Sequence, residues 1–136
     1  MKIIKRIALI LLLVFFLFLG LFVIPYFANI VMPWQRAEAI NTALEWGGLK
    51  ELPHGSEVIS VETKGSSLTR EFIIEFTCEP KALQTWMQES GLNQLTPVEE
   101  WNGLRVYQVA GKEGAIGGKV FADYTEGRVV IDVSWS

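Results

Sequence analysis

The chain has 136 residues and a net charge of −3 at pH 7; 50% of its residues are hydrophobic and 20% are charged. This length suits one domain of ordinary size and excludes a multidomain enzyme. The charges are unevenly placed, since the residues after Met32 carry 9 basic and 15 acidic side chains. A phosphate backbone repels so acidic a body, and we therefore expect no nucleic-acid partner.

An uncharged apolar run of 26 residues, 7–32, follows a basic N-terminus. Because a bilayer core offers no water to backbone groups, a spanning segment must be a helix of about 20 apolar residues. We therefore predict a cytoplasmic basic flank at 1–6 and a transmembrane signal-anchor helix over 7–32, in contact with the lipid bilayer. Pro25 is expected to kink this helix or end its regular part. The positive-inside rule then predicts an extracytoplasmic, periplasmic-type domain over 33–136.

A cleaved signal peptide is the alternative interpretation of the same run. The basic flank fits such a peptide, but the apolar run is far longer than the usual hydrophobic region of about 7–15 residues. The one acceptable cleavage box, 37–39, lies well beyond the most apolar residues. We therefore favour a single-pass protein of the cell membrane, typical of a bacterial inner membrane, with a secreted protein as the alternative.

The remaining residues show helical and strand-like patterns. Helices are predicted over 34–46, where apolar residues recur every three or four positions, and over 80–90, where Pro80 suits the first turn. Alternating or apolar runs predict five strands, at 57–64, 68–78, 104–110, 115–124 and 128–135. The sequence thus predicts an α+β domain of about five antiparallel strands and two helices, in the order α-β-β-α-β-β-β.

The last two strands predict a surface that a partner could use. A three-residue loop over 125–127 pairs Tyr124 with Arg128, and in this register Phe121 faces Ile131 on the core side. The opposite face is flat and only half polar, and we predict it as a candidate interaction face for a protein partner. Its residues are Val120, Ala122, Tyr124, Val130 and Asp132. The alternative is that the first helix of the domain covers this face.

Side chains that carry chemistry are few. Cys78 is the only cysteine and lies in register with apolar strand residues, so we interpret it as a small buried hydrophobe. His54, the only histidine, lies in a turn, and we expect neither a catalytic cysteine–histidine pair nor a metal site. Glu71 and Glu75 are about 13 Å apart along one strand, and we interpret them as a solvated face rather than a glycosidase pair.

The glycine-rich segment 111–119 departs from the phosphate-loop pattern. Glu113 stands where that pattern needs glycine, and Val120 stands where it needs Ser or Thr. We interpret the segment as a tight turn followed by a close approach of backbones. No cofactor is expected.

These observations favour a membrane-anchored protein whose outer domain is a non-catalytic interaction or accessory module. The alternative is a domain that binds a small ligand in an aromatic pocket between the sheet and the helices. That pocket would be lined by Trp86, Trp101 or Trp135.

Overall fold

A computed structural model describes residues 1–24, 31–66, 68–112 and 114–135. An apolar N-terminal helix precedes an α+β domain, which confirms the predicted fold class. The helices are α1 (Lys2–Phe18, continued by a π-helical turn over Leu19–Val23), α2 (Arg36–Gly47, after a 3₁₀ turn at Pro33–Gln35) and α3 (Pro80–Glu89). A 3₁₀ turn over Leu92–Gln94 follows α3.

The described strands form one antiparallel sheet of six, in the order β1-β2-β6-β5-β4-β3. Their bounds are β1 Glu57–Gly65, β2 Arg70–Thr77, β3 Glu99–Trp101, β4 Leu104–Ala110, β5 Gly117–Asp123 and β6 Arg128–Trp135. Five of them match the predicted strands within a few residues. The sixth, β3, lies between the predicted helix 80–90 and the predicted strand 104–110, where no strand is predicted.

A two-residue turn explains β3. Trp101 pairs with Leu104 across Asn102 and Gly103, whose φ angles are 46° and 85°. Two successive positive φ angles define the type I′ turn, which suits the twist of a hairpin and favours the dipeptide Asn-Gly. The segment before β4 therefore folds back on it as a short edge strand.

The described residues of the domain bury no residue of the N-terminal helix. The helical stretch Lys2–Val23 has 22 residues and a mean hydropathy of 2.9 over its most apolar window, with none of that window buried. At about 1.5 Å per residue it is roughly 33 Å long, close to the hydrocarbon thickness of a bilayer. It is thus long and apolar enough to cross a membrane. A membrane anchor and a signal sequence both meet this description.

The bounds of this helix differ from the predicted segment. It begins at Lys2, five residues earlier, and the backbone at Met32 is already extended, with φ −74° and ψ 153°. Residues 25–30 lie outside the described part of the chain, and the predicted effect of Pro25 falls among them.

The inner face of the sheet is the face on which α2 and α3 pack. Alternate residues of the central strands are completely buried there: Ile74, Phe76, Val120, Ala122, Val129, Ile131 and Val133. Trp86 of α3 meets Phe76 edge to face at 5.5 Å, and its indole N–H donates to the carbonyl of Lys50 at 3.0 Å. Trp46 of α2 lies over Phe72 at 5.2 Å. Large aromatic side chains of both helices therefore close the core.

The register between β5 and β6 differs from the predicted one. Arg128 pairs with Asp123 and not with Tyr124, and Phe121 therefore lies opposite Val130. The predicted pairing is wrong by one residue. Because successive side chains of a strand point to opposite faces, this shift exchanges the two faces of β5 relative to the prediction.

The loop between these strands is the physical reason for the shift. The Asp123 carboxylate accepts hydrogen bonds from the backbone N–H groups of Thr125 and Glu126, at 3.0 and 3.1 Å. An aspartate that bonds the backbone ahead of it starts a turn. The strand therefore ends at Asp123 and the loop has four residues. Gly127 takes the left-handed conformation, with φ 69°.

Candidate outer-face docking site

The outer face of the sheet, opposite to α2 and α3, carries an apolar depression. Leu104, Phe121 and Val130 line it together with Asp123 and Arg128, and its volume is about 390 Å³. We call these five residues the outer-face groove. Phe121 and Val130 are only half-buried, in contrast to the complete burial of Val120 and Val129 on the inner face.

Strand register brings the apolar side chains of this region together. Phe121 of β5 lies between Val130 of β6 and Val106 of β4 in one cross-strand row. Val106 is buried, so the exposed part of the row lies on the side of Phe121 and Val130. Side chains directly opposite each other on neighbouring strands are close enough to contact, so this row forms a continuous apolar strip.

The charges around the groove have partners within the chain. Arg128 forms an ion pair with Glu75 of β2, in which the Arg128 side chain is 57% exposed and that of Glu75 is 20% exposed. The carboxylate of Asp123 accepts the loop N–H groups described above. Binding of a ligand at this site would therefore be stabilised mainly by burial of apolar surface, since Arg128 and Asp123 already have partners.

A pair of carboxyl groups lies on the same face beyond the groove. Asp132 of β6 and Glu71 of β2 occupy adjacent strands, two residues apart in register. Burial, then the hydrogen bond and like charge of Glu71, raise the pKa of Asp132 to about 6, against the opposing charges of Lys64 and Lys119. Lys64 lies directly opposite Glu71, and Lys119 directly opposite Asp132. This corner of the outer face therefore changes its charge as the pH rises through about 6.

The structure separates the five residues of the predicted interaction face. Val120 and Ala122 are completely buried on the inner face. Tyr124 is half-buried, and its hydroxyl lies 3.2 Å from that of Tyr107. These three residues therefore do not form one exposed surface with Val130 and Asp132. The one-residue shift in register reverses which side chains of β5 lie on the outer face.

Val130 and Asp132 are the two predicted residues that do lie on the outer face. Phe121, which the prediction assigns to the core side, joins them there. The signal that could have placed it is Asp123, whose side chain is suited to beginning the turn one residue early. The Glu71–Asp132 pair had no signal in the sequence, since it depends on β2 and β6 being neighbours.

Tyr124 is held as a neutral phenol. Burial and the hydrogen bond with Tyr107 raise the pKa of Tyr124 well above its ordinary value. The guanidinium of Arg105 lies 5.1 Å from the centre of the Tyr124 ring and also pairs with Glu100 at 2.9 Å. This arrangement fixes the end of the β4–β5 pair and offers no ionised phenolate for chemistry.

Cys78 lies directly after β2 and is only partly buried against the core, whereas the sequence predicts it as buried within the strand; His54 lies in a turn as predicted. Cys78 is half-buried, and burial together with the charge of Glu79 raises the pKa of its thiol. A raised pKa leaves less of the nucleophilic thiolate at neutral pH. His54 is exposed in a turn. Among the described residues, no group of three His, Cys, Asp or Glu side chains is placed to hold a metal ion.

The three tryptophans of the predicted ligand pocket do not come together. Trp86 is buried against Phe76 of β2, which lies opposite the start of β6. Trp135 is at the other end of β6 and is 42% exposed. Six residues of strand, from Val129 opposite Phe76 to Trp135, separate these two regions by roughly 20 Å. Trp101 is 71% exposed on the short edge strand β3. These three tryptophans therefore lie in separate parts of the domain and do not line one common pocket.

The glycine-rich segment brings backbones close together, as predicted. A Cβ added at Gly118 would lie 1.9 Å from the carbonyl oxygen of Asp132, and one at Gly111 would lie 1.7 Å from that of Ala115. These glycines are needed for packing between neighbouring backbones. Their placement explains the segment without a bound phosphate.

Comparison with protein families, with curated proteins and with solved structures returned no match for this chain. The functional assignment therefore depends on the geometry of α1 and of the outer-face groove.

Proposed function

We propose that this chain is a single-pass protein of the cell membrane whose domain, 33–136, lies outside the cytoplasm and binds another protein without catalysing a reaction. The observation that carries the proposal is the contrast in burial between α1 and the domain. No residue of α1 is buried against the described part of the chain. Burying apolar surface stabilises by about 25 cal/mol per Å², so a helix of this composition favours an apolar environment, and a bilayer supplies one.

The orientation of the anchor follows from its flanking charges. Lys2, Lys5 and Arg6 precede the apolar run, and no acidic residue lies among them. Basic residues beside a membrane span favour the cytoplasmic side, and the domain then lies across the bilayer.

The outer-face groove is the docking surface in this proposal. Its lining is mainly apolar and half-buried, and its charged members already have partners in the chain. Exposed apolar patches bordered by polar groups are typical of protein interaction sites, where one buried side chain supplies much of the affinity. A depression of about 390 Å³ is large enough for one or two apolar side chains of a partner.

Fractionation of cells that express the full chain with a C-terminal tag tests the anchor. We expect the tagged protein in the membrane fraction, resistant to alkaline extraction, with an intact mass that includes the N-terminal helix. A soluble tagged product without that helix would support the cleaved signal peptide instead, and the protein would then be secreted.

Photo-crosslinking in intact membranes tests the docking surface. A photo-reactive residue in place of Val130 or Phe121 should give a discrete adduct. The same residue in place of Gln88, which is exposed on α3 away from the groove, is the matched control and should give none. Equal labelling at all three positions, or no adduct at any of them, would contradict docking at the groove.

A further inference from the structure

The two edges of the sheet differ in how much backbone they expose. The edge strand β3 has three residues, whereas β1, at the other edge, has nine. An edge strand presents unpaired N–H and C=O groups on one side, and long, regular edges are templates for pairing with another chain. The β1 edge is therefore the larger of the two surfaces on which a further strand can pair.

The first part of β1 is irregular and hydrogen-bonded by Arg36, whereas the last part is regular. A β-bulge lies between Val58 and Ser60, and the Arg36 guanidinium donates to the carbonyl of Val58 at 2.8 Å. From Val61 to Gly65 the pairing with β2 is regular. We call 61–65 the open edge segment. It contains no proline and no bulge, two of the devices by which proteins protect such edges.

We propose that the open edge segment pairs antiparallel with the same segment of a second copy of this chain, centred on Thr63. This register places Glu62 of each copy opposite Lys64 of the other, so that two pairs of opposite charges form. Opposite charges and Thr–Thr pairs at directly facing positions both favour strand pairing. The segment is thus complementary to itself, which a two-fold symmetric contact requires.

The placement of the side chains agrees with this pairing. Glu62 and Lys64 are exposed on the outer face, so their charges stay in water when the strands pair. Thr63 is on the inner face, where its hydroxyl accepts a hydrogen bond from the Arg70 guanidinium at 3.2 Å. The pairing therefore buries no charged side chain of the segment. It does not depend on the outer-face groove, although two copies anchored in one bilayer would also meet at a raised local concentration.

Sedimentation of the full-length chain in detergent micelles tests this proposal through charge reversal. We expect a dimer for the unmodified chain. Glu62→Lys or Lys64→Glu alone replaces two attractive pairs with two repulsive ones, and should raise the dissociation constant about tenfold or more. The double reversal, Glu62→Lys with Lys64→Glu, should restore the dimer. Glu89→Lys makes the same change of charge as Glu62→Lys at an exposed position of α3. It is the matched control and should not change the dissociation constant.

Disulfide formation between two variants locates the contact. When Glu62→Cys and Lys64→Cys chains are mixed in equal amounts and oxidised, the mixed disulfide should exceed twice the amount of either homodimeric one, which is the ratio that random pairing gives, because only the mixed pair is directly opposed. A monomer at tens of micromolar, or a dimer that neither reversal weakens, would overturn the proposal. So would a crosslink from these positions only to a different polypeptide. None of these outcomes bears on the membrane fractionation result, which tests the anchor separately.

Discussion

The N-terminal helix and the sheet are both rich in large apolar side chains, but the chain itself buries only the second set. Leu13 of α1 is 63% exposed, whereas Ile131 of β6 is completely buried. Their sequence patterns differ in the same way. The strands alternate and so have one apolar face for the core, whereas α1 is apolar on all sides, which is typical of a helix surrounded by apolar material. Periodicity, more than total apolar content, thus indicates whether a segment is covered by its own chain.

Charged substitutions in α1 should have the largest effect on this contrast. Leu12→Arg together with Phe16→Arg should abolish retention in the membrane, since each arginine near the centre of a span costs about 2.5–3.5 kcal/mol. Alkaline extraction of membranes measures the loss. The matched control is Gln84→Arg with Gln88→Arg, which has the same spacing on the exposed side of α3. If both pairs leave retention unchanged, α1 is not the anchor.

Neighbouring isoleucines in β2 compare the two faces of the sheet. Ile74 is completely buried on the inner face, and Ile73 is half-buried on the outer face. We expect Ile74→Ala to lower the free energy of unfolding by about 2–5 kcal/mol, because the lost contacts leave a cavity. Ile73→Ala should cost less than half as much, because solvent already reaches that side chain. Denaturant titration of the two variants measures the difference, and equal losses would contradict the assignment of faces.

A methyl group at Gly118 tests the close approach of β5 to β6. The added Cβ would lie 1.9 Å from a backbone carbonyl oxygen, which cannot move away as a flexible side chain can. Gly118→Ala should therefore destabilise the domain by about 1–3 kcal/mol or more. Gly20→Ala, where no atom lies within 4 Å, is the control and should leave thermal unfolding unchanged. A domain that tolerates Gly118→Ala would contradict the observed strand register.

The smallest expected effect is the pH dependence due to Asp132. Its pKa is raised to about 6 in the folded chain from an ordinary value of 3.8, so the folded state binds more protons between these values. Stability therefore falls as the pH rises from about 4 to about 6. Asp132→Asn should remove this fall and, at pH 7, stabilise by less than about 1 kcal/mol, since solvent screens a partly exposed group. Thermal unfolding of the Asp132→Asn variant and of the unmodified chain at pH 4 and pH 7 measures this. A difference in stability between the two chains that is the same at both pH values would contradict the prediction.

Local patterns were sufficient to predict most elements but not their arrangement. The strands 104–110 and 128–135 have the predicted bounds, because alternation of apolar residues is a local property. The register of β5 against β6 depended on one aspartate that ends its strand early. β3 had one local signal, the Asn102-Gly103 dipeptide of its turn, and no alternation of its own.

The candidate site was less predictable than the fold. Phe121 and Val130 meet through the register, and the Glu71–Asp132 pair depends on the pairing of β2 with β6. The last two strands in the sequence, β5 and β6, are separated from β2 by α3, β3 and β4. Contacts between elements so distant in sequence have no periodic pattern to reveal them.

Protease protection is the most direct test of the membrane-anchored domain. Sealed cells stripped of any outer barrier, and inside-out vesicles from the same cells, are treated with protease while a C-terminal tag is followed. We expect the tag to be lost from the cells and protected within the vesicles, with the N-terminal helix retained in the membrane. A tag that is protected in the cells and lost from the vesicles would place the domain in the cytoplasm and contradict the account.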